Sequence, residues 1–96
     1  MKREKILHTL KDFKENNTDK YGILTLGIFG SVAKNSYLPS SDIDIVIKTV
    51  KVDLYLLVHL KEDLEKLFGA HIDIIRYRNR MNKYLKKRID EEAIYV

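Results

Sequence analysis

The sequence predicts an α/β (α+β) fold, a small mixed β-sheet of three to four strands flanked by helices. Three observations carry this expectation. Residues 23–29, 42–47 and 71–75 are short apolar runs rich in β-branched residues, with the length and composition of strands. Segments with apolar residues at helical spacing stand before, between and after them. The chain has 96 residues, 45% hydrophobic and 33% charged, which is enough for one core and too little for two. Residues 1–96 are therefore expected to form a single domain.

Residues 2–16 read as an amphipathic helix in which Ile6, Leu7, Leu10 and Phe13 share a face, with Asn16-Asn17 as its end. A polar link through Tyr21-Gly22 leads to the first strand, 23–29, which stops at Gly30-Ser31. Residues 32–41 are polar and hold the only proline, Pro39, so they read as one short helical turn followed by a loop. Residues 42–47 alternate acid with β-branched residue before turning wholly apolar, a second strand with its acidic residues at the open end. Asp53 is placed to cap a helix over 53–68, with Leu57, Leu60, Leu64 and Leu67 as its apolar stripe and Gly69 as its stop. The third strand, 71–75, is apolar apart from Asp73. A last helix over 79–91 turns Met81, Tyr84, Leu85 and Ile89 inward, and 93–96 form a short edge strand.

The connections fix part of the topology. A helix-containing link of about twenty residues between the second and third strands calls for a parallel pair with a right-handed crossover. The shorter link between the first and second suits an antiparallel pair. Both arrangements gather Gly30-Ser31, Asp42, Asp44 and Asp73 at one edge of the sheet.

Composition excludes several classes. Without cysteine there is no disulfide framework, thiolate nucleophile or zinc finger. Met1-Lys2-Arg3-Glu4-Lys5 has no apolar signal core behind it, and no run approaches the roughly 20 apolar residues needed to cross a bilayer. The chain reads as soluble and cytoplasmic, with no membrane partner. Its net charge of +4 is uneven: residues 76–88 hold Arg76, Arg78, Arg80, Lys83, Lys86, Lys87 and Arg88 with no acid, so the rest is net acidic. Such a segment attracts phosphates or an acidic partner, or is simply a solvated helix face.

Asp42 and Asp44 stand two apart on a strand, so their carboxylates project from one face. Side by side they repel, and each raises the other's pKa unless a cation intervenes. Hard oxygen donors with no metal-spaced histidine or cysteine suit Mg²⁺, or Mn²⁺, with phosphate oxygens and water completing the shell. Asp73 adds a third carboxylate if its strand lies alongside. Set in an apolar strand, it is expected to be buried, and hence bound to metal or paired with Arg76 or Arg78. Three carboxylates can hold two ions about 3.5–4 Å apart, as phosphoryl and nucleotidyl transfer require. Gly30-Ser31 lets backbone approach a phosphate closely, and Lys34 is placed to add a point charge. Taken singly, a D-x-D or a Gly-Ser after a strand is ordinary; the order and spacing of all the pieces is the signal.

The run Gly30-Ser31-Val32-Ala33-Lys34 through Ser41-Asp42-Ile43-Asp44-Ile45 resembles the signature of the minimal nucleotidyltransferases of the DNA polymerase β superfamily. The resemblance implies a polymerase β-like core in which Asp42, Asp44 and Asp73 are the metal-binding catalytic carboxylates, Asp73 also helping to activate the acceptor hydroxyl. It implies that Gly30, Ser31, Lys34 and Ser41 contact the nucleotide, with ATP as substrate and two Mg²⁺ ions as cofactor. Family members often carry arginine just after the Gly-Ser pair and near position 34; this chain has Val32 and Lys34, which makes the phosphate grip weaker or differently shared. Similar minimal members act as antitoxins beside a HEPN ribonuclease toxin, transferring AMP to a tyrosine of that partner.

His8, His59 and His71 read as surface or structural residues, and most tyrosines as packing residues, Tyr37 and Tyr77 being nearest the expected cleft. Two other functions compete: an antitoxin that occludes its toxin without catalysis, and transfer onto RNA, for which the basic segment would provide affinity.

Overall fold

A computed structural model describes residues 2–38 and 40–96. The order is α1 (Arg3–Tyr21), β1 (Ile23–Phe29), α2 (Gly30–Ala33), β2 (Ile43–Thr49), α3 (Leu54–Phe68), β3 (Ile72–Arg76), α4 (Lys83–Glu92) and β4 (Ile94–Tyr95). The strands form one mixed sheet in the order β3-β2-β1-β4. β1 pairs antiparallel with β2 and β4, and β2 pairs parallel with β3 through the α3 crossover.

Strand periodicity divides the sheet's two faces between two apolar clusters. Ile43, Ile45 and Ile47 of β2 pack with Ile6 and Leu10 of α1 and with Leu60 and Leu64 of α3. The alternate residue Val46 faces the other way and packs with Phe29 and with Ile89 of α4. Asp44 belongs to this second set by position, and in β3 so does Asp73, two residues before Ile75. The acidic pair thus lies on the side of the sheet that α4 covers.

Several boundaries differ from expectation for local reasons. α1 does not end at Asn16-Asn17. The Asn17 amide donates to the Phe13 carbonyl at 2.9 Å and the Thr18 hydroxyl to that of Lys14, so these side chains bond within the helix instead of breaking it. The helix continues until Tyr21 is buried against Phe13, and Gly22 ends it with φ 62°. The helical turn begins at Gly30 rather than Val32. Asp53 caps α3 through the Leu56 N–H as anticipated, but Leu67 is 48% exposed and Phe68 takes its place in the core. α4 starts later than position 79, because Asn82 caps it by accepting from Tyr84 and Leu85; Met81 precedes it, and Tyr84 points outward. Asp42 and His71 each lie one residue before a strand. Pro39 lies outside the described residues.

Candidate active site

The end of β1 and the starts of β2 and β3 meet at one edge. Phe29 pairs with Asp44, and Asp44 with Asp73, across the sheet. Register therefore brings the β2 and β3 acids side by side on one face, the convergence anticipated from their spacing. Gly30 turns the chain out of β1 at φ 71°, and a Cβ there would overlap Oδ2 of Asp44. Only glycine lets this turn lie against that carboxylate.

Asp44 is half-buried. Burial first, and then the neighbouring Asp73 carboxylate, push its carboxyl above the usual carboxylate range; Asp42 and Glu92 add to the rise and the Arg88 guanidinium opposes it. Asp73 is exposed, which corrects the expectation of a buried carboxylate; it stands near the start of β3, an edge strand of the sheet. Among the described residues, none of the ion pairs involves Asp73, so the alternative of a bridge to Arg76 or Arg78 is not realised; Arg78 instead donates to the Arg76 carbonyl at 2.9 Å. Asp42 is exposed and its Oδ1 lies 3.2 Å from Nδ1 of His71, a contact that sequence reasoning missed. The signal was available: His71 stands two residues before Asp73, as Asp42 does before Asp44. Among the described residues, no three acidic or histidine side chains are drawn into a metal cage.

The cationic side of the site differs from expectation. Lys34 stands on the turn that follows α2, but its ammonium is 2.9 Å from Glu92 Oε2 at the end of α4. That contact, helped by Arg88 and the Gly30 N–H, holds the Glu92 carboxyl below its usual range. The guanidinium of Arg88 lies 3.7 Å from Glu92 Oε1 and 5.8 Å from the centre of the Phe29 ring. Ser31 is the second residue of α2. The Ser41 hydroxyl accepts the Leu38 N–H at 3.0 Å while its own N–H donates to the Leu38 carbonyl, so it pins the loop before Asp42. Arg88 was named from the sequence only as the last of seven cations in a segment suited to phosphates or an acidic partner, and Glu92 was not singled out; the sign that links them to each other is their i,i+4 spacing.

A cavity of about 550 Å³ opens at the opposite end of β1 and β2, between α1 and α3, lined by Tyr21, Ile23, Val50, Leu56 and Leu60 among others. It holds none of the acidic cluster. Chemistry, rather than room, locates the site at the Gly30 end.

Residues 9–96 match the family described as the nucleotidyltransferase domain. The chain belongs to the nucleotidyltransferase family. A Methanocaldococcus jannaschii protein, MJ0126, which bears protein adenylyltransferase as a provisional name, is 35% identical over 92 residues, covering 95% of this chain and 94% of the relative. A solved structure described provisionally as a minimal nucleotidyltransferase superposes with a TM-score of 0.80 at 26% identity, covering 98% of this nucleotidyltransferase and 95% of that chain. A chain of a solved complex of tri-AMPylated Shewanella oneidensis HEPN toxin with MNT antitoxin shares the fold at TM-score 0.61 and 18% identity, covering 97% of this chain and 67% of that one. No helix among the described residues is long and apolar enough to cross a membrane.

Proposed function

We propose that this nucleotidyltransferase is a single-domain cytoplasmic antitoxin that transfers AMP from ATP to a tyrosine hydroxyl of a HEPN-family ribonuclease toxin, with Mg²⁺ as cofactor. The observation that carries the reading is the pairing of Asp44 with Asp73 on one sheet face, with Asp42 two residues away and the bare backbone of Gly30 against Asp44. The names of the relatives, and the AMPylated HEPN toxin in complex with an MNT antitoxin, support the acceptor class.

The donor set fits a hard divalent cation: Asp44 is held partly desolvated beside Asp73, a placement that favours a positive charge between them. Asp42, Asp44 and Asp73 would hold Mg²⁺, which when bound supplies charge stabilisation to the phosphates and the attacking oxygen. Gly30, without a Cβ, brings the turn against Asp44, and Ser31 beside it would offer its hydroxyl to a triphosphate. Asp73, open to solvent, is reachable by a hydroxyl carried on another protein. In the transfer the tyrosine oxygen bonds to the α-phosphorus, the bond to the leaving pyrophosphate breaks, and the hydroxyl proton passes to the Asp73 carboxylate.

The test incubates the protein, labelled ATP, Mg²⁺ and a co-encoded HEPN protein, with Asp42→Asn and Asp44→Asn variants in parallel. Label on a partner tyrosine that disappears in both variants is expected. Protection from the toxin that survives in both would replace this reading with occlusion, and label on RNA would move the acceptor to nucleic acid.

A further inference from the structure

We propose that Arg88 is the side chain of this chain that grips the nucleotide's phosphates, held ready over the Gly30-Ser31 turn by the Phe29 ring and Glu92. The inference rests on the nucleotide-binding reading above and concerns which cation serves it. Three cations reach α2 from the described residues, and Arg3 is taken up at its far end, donating to the Ala33 carbonyl at 2.9 Å. Lys34 is already bonded to Glu92 Oε2 at 2.9 Å, so its charge is largely spent on that carboxylate. Arg88 is differently placed. Its Nη2 lies 3.5 Å from the position a Gly30 Cβ would take, directly above backbone that carries no side chain. Its guanidinium sits 5.8 Å from the centre of the buried Phe29 ring, close enough for the aromatic face to steady a planar cation. Glu92, one turn along α4, approaches it at 3.7 Å, beyond hydrogen-bond length, so its donors are not consumed there. Consistent with this, Glu92 Oε1 is buried and makes no hydrogen bond among the described residues.

The side chain is 53% exposed, so its donors remain open to a ligand arriving at the cleft. The Asp44 carboxylate abuts that same position at Gly30, so Arg88 stands beside the carboxylates as well as beside the turn. A planar guanidinium with a fork of N–H donors between a bare glycine turn and a pair of carboxylates matches a phosphate chain whose other oxygens face a cation on those carboxylates.

The experiment measures binding of ATP, AMP and adenosine to the full chain by calorimetry in Mg²⁺ at physiological salt, for wild type, Arg88→Gln, Arg88→Lys and Lys87→Gln. Arg88→Gln is expected to weaken ATP about 10- to 100-fold while leaving adenosine within about twofold. Arg88→Lys should recover part of the loss, and Lys87→Gln, which removes an equal charge one residue earlier, should bind ATP nearly as wild type does. An ATP affinity unchanged in Arg88→Gln, or an equal loss for ATP and adenosine, would overturn the assignment in favour of a purely structural arginine. A second measurement needs no variant: ATP should shield Arg88, and not Arg80, from phenylglyoxal in the wild-type protein, and equal modification with and without ATP would also overturn it. Wild type that transfers AMP while the Arg88 variants behave normally defeats this inference alone. Wild type that binds no ATP defeats the nucleotidyl-transfer reading as well.

Discussion

At Gly30 a left-handed φ of 71° and the Asp44 carboxylate press on the same α-carbon, so a single methyl meets both obstacles. Gly30→Ala is expected to cost about 1–2 kcal/mol of stability from backbone strain alone. It also displaces the carboxylate, so transfer activity should fall by far more than the melting temperature implies; equal small losses in both would contradict this placement. Asp44 obeys the opposite logic. Its carboxyl is raised by burial and by Asp73, so its charged form is disfavoured in the fold without metal. Asp44→Asn removes that conflict, and its melting temperature without Mg²⁺ should equal or exceed that of the parent. Far from the site, the Tyr21 hydroxyl donates to the Asp63 carboxylate, which lowers the Asp63 pKa, while burial and then this bond raise that of Tyr21. A depressed carboxyl stabilises the fold above its unfolded pKa and stops doing so as pH falls through the folded value; a raised phenol does so below its unfolded pKa and stops as pH climbs. Tyr21→Phe should therefore lower stability by about 1 kcal/mol between roughly pH 5 and 9, and thermal melts should show that difference shrinking below about pH 4.

Among the elements, β1 answers to its sequence most directly: residues 23–29 are apolar or small and lie between two glycines, so neither end is ambiguous. The ends of α1 and α4 were less legible, because they depend on side-chain bonds that composition alone does not reveal. Asn16-Asn17 reads as a stop signal, but Asn17 and the next residue, Thr18, bond back to the preceding turn, whereas Asn82 does cap its helix. The acidic half of the site was legible since Asp42 and Asp44 are local on one strand and a crossover puts Asp73 beside them. The other half was not, because Arg88 and Glu92 reach Gly30 only when α4 folds back over the sheet, a contact spanning more than fifty residues of sequence. What holds α4 in place there is partly β4, which follows it and pairs with Gly27 and Ile28. A Cβ on Gly27 would lie 2.6 Å from the Ile94 carbonyl oxygen and 3.0 Å from the Tyr95 α-carbon, backbone atoms that cannot rotate aside. Gly27→Ala should then cost about 1–3 kcal/mol and speed amide exchange in residues 94–96 and in the last turn of α4, while β2 and β3 exchange as before. Exchange that rises evenly over the sheet would show that β4 does not anchor α4 independently.

Over the whole molecule, the body measures 33 × 30 × 19 Å and its charge is divided along one direction of the chain. Asp42, Asp44 and Asp73 by themselves repel a triphosphate, and the cations of residues 76–88 lie on and before the helix that covers their face of the sheet. Not all of these cations are idle, for Lys86 lies over the Tyr77 ring and Lys87 near Glu91, yet the segment contains no acid. Exposed charges of this kind act at a distance and are screened within about 10 Å at 0.1 M salt. They should accordingly speed the arrival of ATP at low ionic strength without strengthening its hold once bound, which separates them from Arg88. In stopped-flow measurements with a fluorescent ATP analogue, Lys83→Ala with Lys87→Ala should slow association about two- to fivefold at 10–20 mM salt and leave it unchanged at 0.5 M, with dissociation unaltered throughout. A slower association that persists at high salt would mean that these lysines touch the nucleotide, and a rate indifferent to both substitutions would assign the basic segment to the acceptor protein instead of the donor nucleotide.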